Sequence, residues 1–185
     1  MARPGGAIRG IRWRTCRSSQ AGGKYLLVGE TTVSRRALAL ADQLEGTSAE
    51  LVRLVRRIER ERWDRVPAAG VWSAGKDADH VIEAAAYHMW IVRLTIGERV
   101  SSRRPDIERK ALVTDRAPAE VARDLQARTR EASGLIRTLT DEQLALRTKP
   151  PRANGERLGE TIERVLIGHY GVHLREIEGK LTVCD

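Results

Sequence analysis

The 185-residue sequence contains no phenylalanine, and its only aromatic residues of the Phe, Trp and Tyr types are four tryptophans and three tyrosines. A core without phenylalanine must be built mainly from Leu, Val, Ile and Ala, a composition that suits helices. The two cysteines, Cys16 and Cys184, lie near opposite ends and offer neither a disulfide framework nor a CxxC zinc knuckle. No apolar run reaches membrane-spanning length, and none forms a secretory signal core. We therefore expect a cytoplasmic protein that does not enter membranes.

Acidic residues are almost absent from residues 1–36, where eight Lys or Arg accompany the single acid Glu30. This segment carries a charge of +7, whereas the remaining 149 residues carry only +1. An Arg-rich segment can bind nucleic acid or anionic membranes, but this one has no base-stacking motif and no amphipathic helical period. We therefore expect no nucleic-acid partner. We predict a disordered basic arm, or an upstream extension, at residues 1–32, followed by one domain at residues 33–185.

From Thr32 onward, apolar residues recur at three- and four-residue steps, which is the period of amphipathic helices, and no strand alternation is present. Ser48 is placed like an N-cap before Leu51, and Thr47 and Glu50 have the spacing of a capping box. Both patterns predict that Gly46–Ser48 interrupts the first helix. Ser73 is predicted to cap the second helix, and Thr140 is predicted to cap one further helical turn over residues 140–144. The four predicted helices span about residues 48–63 with a short or kinked start before them, 73–98, 118–139 and 156–178. With one long connection at 99–117, this pattern predicts an all-α four-helix bundle.

The four histidines are distributed unevenly along these helices. His169 and His173 are four residues apart, so they share one face of the last helix. His80 and His173 each lie about 10 Å from the ends of their helices, and antiparallel packing would bring these ends together. A three-histidine group is therefore predicted. His88 is two turns deeper than His80 and about 80° around the helix, so we expect it to be partly buried or on the surface, away from the group.

Three histidine ligands would leave open coordination positions on a divalent metal ion, as in catalytic sites. Imidazole suits zinc, nickel and iron among other first-row ions. Asp77, three residues before His80, and Glu176, three after His173, are candidate acceptors for the imidazole N–H groups, although both also fit ordinary helix-surface acids. The histidine pair lacks the glutamate of the HExxH motif, so a zincin protease is not indicated. The alternative is a non-catalytic helical module whose histidines simply pack.

Three segments of the chain resemble motifs of the DinB/YfiT-like superfamily. The segment Trp72–Lys76 followed by His80 resembles the motif of its second helix, and Gly168–His173 resembles the motif of its fourth helix. The segment Leu139–Leu144 resembles the end of its third helix. The resemblance covers roughly residues 36–182 and leaves out the basic arm.

This resemblance implies a four-helix bundle with an up-down-down-up course, one divalent metal held by His80, His169 and His173, and a homodimer. Members of the superfamily include thiol-dependent transferases or isomerases that use low-molecular-weight thiols, and proteins taken to be hydrolases. The resemblance thus implies a metal-dependent enzyme acting on a small molecule, with zinc, nickel or iron as the ion and a low-molecular-weight thiol as a further cofactor. The alternative is a non-catalytic ligand- or partner-binding module of the same fold.

Overall fold

The computed structural model describes residues 33–150 and 155–182, so the arm predicted at residues 1–32 lies outside the described residues. The described residues are mostly helical and contain no β-strand, which confirms the all-α prediction. The helices are α1 Arg35–Val55, α2 Arg60–Asp64, α3 Ala74–Thr95, α4 Pro118–Ile136, α5 Asp141–Ala145, α6 Leu158–Thr161 and α7 Gly168–Thr182. A π-helical turn, Ile162–Ile167, connects α6 directly to α7.

The four long helices pack side by side, with α1 against α4 and α7, and α3 against the same two helices. Asp42 of α1 pairs with Arg137 at the end of α4, and Ser48 pairs with Thr129, so α1 and α4 run antiparallel. The core between the helices is mainly aliphatic, with Trp63 and Tyr170 as fully buried aromatic side chains. Its aliphatic residues include Leu44, Leu51, Leu125, Ile136, Leu166 and Ile177. Within the described ranges, no helix combines the length and apolarity needed to cross a membrane.

The first helix is continuous through Gly46, contrary to the predicted interruption. Its N-cap is Ser34, whose side chain accepts a hydrogen bond from the first turn. Ser48 is buried in the middle of α1, where its Oγ lies 2.7 Å from Oγ1 of Thr129 in α4. Thr47 makes no capping box and instead donates a hydrogen bond to the carbonyl four residues earlier, at 3.0 Å. A hydroxyl that resembles a cap in the sequence is therefore a buried cross-link between helices.

The other two predicted caps are confirmed, because each depends on hydrogen bonds between residues close together in the sequence. Ser73 caps α3 as predicted, its Oγ accepting a hydrogen bond from the third helical residue at 3.1 Å. Thr140 and Gln143 form a reciprocal capping box at the start of α5, the extra turn that the sequence predicted. The predicted ends are less accurate, since Trp63 lies in the separate helix α2 and α7 continues past Gly179.

Trp63 ties the crossover between α3 and α4 to the start of α3. Its indole is fully buried, and Nε1 donates a hydrogen bond to the carbonyl oxygen of Arg116 at 2.9 Å. The guanidinium of Arg116 forms ion pairs with Asp79 of α3, at 2.7 Å, and with Asp124 of α4. These contacts fix the crossover against the turn of α3 that precedes His80.

Candidate metal centre

Antiparallel packing of α3 and α7 brings His80, His169 and His173 together. One nitrogen of each ring lies within 4.8 Å of a nitrogen of the other two. The ring centroids of His169 and His173 are 4.5 Å apart, and each lies 5.1 Å from that of His80. The rings meet at interplanar angles of 67–79°, so they converge edge to face rather than stack. The geometry thus groups the three histidines that the sequence singled out.

The π-helical turn sets the direction in which His169 and His173 project. The amide of Gly168 donates to the carbonyl oxygen of Glu163, five residues earlier, instead of four as in an α-helix. His169 follows immediately, so both α7 histidines are rotated relative to the face that α6 buries. The sequence predicts one regular helix over 156–178, and no local signal in residues 162–167 distinguishes a π turn from an α turn.

His88 corrects the prediction that it would be partly buried or on the surface. It is only 5% exposed, and its ring centroid lies 5.6 Å from that of His169. It also packs edge to face on Tyr87, at 5.7 Å. His88 is not part of the three-nitrogen group, but its ring packs edge to face against that of His169. His88 lies two turns after His80 and still faces α7, because the two antiparallel helices stay in contact over that length.

Two carboxylates lie against the outer nitrogen of His173. Nδ1 of His173 is 2.8 Å from Oε2 of Glu176 and 3.4 Å from Oδ1 of Asp77. Both are close electrostatic contacts rather than well-aligned hydrogen bonds. The other oxygen of Asp77, which is almost fully buried, pairs with the ammonium of Lys180. The sequence predicts that Asp77 contacts His80 on the same helix, whereas the imidazole that it contacts is that of His173 on the opposite helix.

Glu83 was missed by the sequence analysis, although it stands three residues after His80. Its Oε2 lies 3.9 Å from Nδ1 of His80 and accepts a hydrogen bond from the amide of Glu108 in the crossover, at 3.1 Å. Burial is the largest influence on Glu83 and raises the pKa of its carboxyl. The same i, i+3 spacing that marked Glu176 would have identified it.

The environment of His80 favours the neutral ring. Burial is the largest cause that lowers the pKa of His80, to about 4, and the positive charges of His173, Arg109 and Lys76 lower it further. Asp77 acts in the opposite direction with a smaller effect. A neutral imidazole is the form that can donate a lone pair to a metal ion, so at pH 7 this ring is in the ligand form.

A cavity of about 830 Å³ opens beside the centre. Trp72 forms its inner wall, with its ring centroid 4.8 Å from that of His80 and 6.4 Å from that of His173. Of the three histidines, His173 is the one that lines this cavity. The remaining lining residues are Arg65, Pro67, Gly70, Val71, Asp77, Glu176, Gly179 and Lys180. Trp72 therefore lies between the cavity and the histidines, whereas Trp63 does not line this cavity.

A family model described as the DinB superfamily matches residues 43–177. No curated protein and no solved structure matches the chain. The matched span extends from α1 into α7 and contains His80, His169 and His173.

Proposed function

The chain belongs to the DinB superfamily, and we propose that it is a metal-dependent enzyme that acts on a small molecule. The observation that carries this proposal is the convergence of His80, His169 and His173. Three imidazoles would hold one divalent ion, with zinc, nickel and iron as the candidates, and would leave coordination positions for a substrate.

The groups around the histidines suit this role. Nδ1 of His173 faces Asp77 and Glu176, so its Nε2 is the nitrogen available to an ion. In the same way, Nδ1 of His80 faces Glu83. Carboxylates on the outer nitrogens fix the tautomer and orientation of the rings and raise their basicity as ligands. These acids therefore favour a metal centre over a cluster of packed histidines.

The cavity beside Trp72 supports a small-molecule substrate, because its volume of about 830 Å³ falls in the range of ligand pockets. A bound ion would supply Lewis acidity there. Trp72 would shield the ion from bulk water, and Glu176 would hold the Nδ1 proton of His173. Two reaction classes fit this arrangement: transfer or isomerisation with a low-molecular-weight thiol, and hydrolysis. Turnover that requires added thiol would select the first class.

Membership of the superfamily also supports an up-down-down-up course for the four long helices α1, α3, α4 and α7, and assembly as a homodimer. Light scattering coupled to size-exclusion chromatography on the full-length chain tests the second part. A mass of one chain at micromolar concentration would reject the homodimer without affecting the metal proposal.

Metal analysis of untagged protein, purified without chelator and then equilibrated with zinc, tests the central proposal. We expect about one equivalent per chain, as for a single three-ligand site. The variant His80→Ala/His169→Ala/His173→Ala should retain almost none, whereas His88→Gln should bind as the wild type does. Equal, low metal content in the wild type and the triple variant would reject the proposal and favour a non-catalytic module with packed histidines.

A further inference from the structure

The charges around the cavity are not equally available to a ligand. Its lining contains two cations, Arg65 and Lys180, and two acids, Asp77 and Glu176. Lys180 is paired with Asp77, and Glu176 lies 2.8 Å from Nδ1 of His173. Each of these three groups is therefore already engaged by a neighbour.

Arg65 is the remaining charged residue of the cavity lining. It follows the end of α2, at the cavity mouth, and its side chain is exposed. Within residues 33–150 and 155–182, its guanidinium makes no hydrogen bond or ion pair. A planar guanidinium presents a rigid fork of donors that matches a carboxylate in a bidentate pair. The cavity thus presents a cation whose donors are free to bind a planar anionic group.

The walls between Arg65 and His173 are apolar. Pro67 and Val71 line the cavity beside the indole of Trp72, and Val71 is 39% exposed. The Trp72 ring lies nearly parallel to that of His173, at an interplanar angle of 22° and a centroid distance of 6.4 Å, and both rings line the cavity. Flat apolar walls favour a flat apolar ligand, because aromatic rings stack on one another in offset arrangements.

We propose that the cavity takes a small organic carboxylate with an aromatic body, with its carboxylate on Arg65 and its ring on Trp72. This inference rests on the proposed function in one respect: the bound carboxylate would be the substrate or product of the metal centre. It identifies Arg65 as a specificity-determining residue, one that binds the ligand away from the histidines.

Titration calorimetry with three probes of similar size tests the assignment: benzoate, the neutral benzamide and the cationic benzylamine. The full-length protein would be used both metal-free and zinc-loaded. We expect benzoate to bind about tenfold more tightly than benzamide, as one charge-assisted bidentate contact provides. Arg65→Gln should remove this difference and leave benzamide binding unchanged. Arg65→Lys should retain part of it, since the charge remains but the fork is lost.

The matched control is Arg57→Gln, an exposed arginine that lines a separate cleft. It should leave all three affinities unchanged. Equal binding of benzoate and benzamide by the wild type would overturn the inference, as would an equal loss in the Arg57 and Arg65 variants or a preference for benzylamine. The metal-free arm separates the two proposals: benzoate discrimination without zinc binding rejects the metal centre alone, and zinc binding without discrimination rejects the carboxylate site alone.

Discussion

Oδ1 of Asp77 lies 3.4 Å from Nδ1 of His173, on the opposite helix. Asp77 is 1% exposed, and its second oxygen pairs with Lys180. One buried carboxylate thus joins a cation at the end of α7 to a candidate ligand one layer deeper. The contact holds α3 and α7 in register at the depth where the histidines meet.

Replacing Asp77 with asparagine should weaken zinc binding by roughly 10–100-fold, the usual cost of losing a carboxylate that orients a ligand. The amide keeps the shape of the side chain but removes the negative charge beside His173. Competition with a chromophoric chelator measures the change. Asp115→Asn, in an exposed part of the crossover, is the control. Identical zinc affinities for the two variants would remove the orienting role from Asp77.

Lys180→Met should lower the free energy of unfolding by about 2–3 kcal/mol, because it leaves a buried carboxylate without its cation. The estimate lies at the low end for buried pairs, since the Lys180 side chain is 17% exposed. Urea unfolding of the metal-free protein measures the loss. Lys149→Met removes an exposed lysine and should change stability by less than about 0.5 kcal/mol. A similar small effect at both positions would show that the Asp77 pair contributes little.

Acid should destabilise the metal-free protein through His80. Its pKa is about 4 in the folded chain, against 6.5 as the ordinary value. Between these two values the unfolded chain binds more protons, so the free energy of unfolding falls as the pH falls from 6.5 towards 4. The loss attributable to His80 is on the order of 3 kcal/mol. Urea titrations from about pH 7 to pH 4.5, with chelator present, should show a steeper dependence for the wild type than for His80→Gln. Parallel curves would contradict the low pKa.

Gly75→Ala should destabilise the fold, because a Cβ at this position would lie 2.6 Å from Cε2 and Nε1 of Trp63. The indole cannot move away easily, since it is fully buried and hydrogen-bonded to Arg116. We expect a loss of about 1–3 kcal/mol, as for overpacked cores. Gly46→Ala in α1 meets nothing within 4 Å and should gain roughly 0.5–1 kcal/mol. Thermal unfolding should therefore show shifts of opposite sign, and shifts of the same sign would argue against this packing.

Thr129→Val should cost about 1–2 kcal/mol by leaving the Ser48 hydroxyl buried without its partner at 2.7 Å. Removing both hydroxyls, in Ser48→Ala/Thr129→Val, should cost less than the sum of the two single changes. Thr138→Val, at an exposed threonine, is the control. Additive losses in the double-mutant cycle would mean that the two hydroxyls do not interact.

Features set by neighbouring residues were predictable from the sequence. The caps at Ser73 and Thr140 depend on hydrogen bonds between residues three positions apart, so the residue types alone identified them. The role of Ser48 depends on Thr129, 81 residues away, and the sequence analysis mistook it for a cap. A hydrogen bond between neighbouring residues can thus be predicted from the sequence, whereas one between residues brought together by packing cannot.

The same difference between local and distant partners applies to the candidate site. Matching the depths of His80 and His173 along antiparallel helices predicted a grouping that the structure contains, and the ion itself stays a prediction. The partner of Asp77 was misassigned because the i, i+3 rule searches one helix, whereas Asp77 points to the next. His88 was misplaced because its distance to His169 depends on how α3 and α7 stay in contact, which helical period alone does not specify.

The π-helical turn at Ile162–Ile167 makes the number of residues in the last helix part of the site. Leu158 and Ile162 are anchored in the core before or at its start, and His169 and His173 project after it. Losing one residue from the turn would allow an ordinary α-helix, yet would swing both histidines by about 100° relative to that anchor. All three histidines would remain in the chain, but their grouping would be lost. The centre is therefore encoded by spacing as much as by residue type.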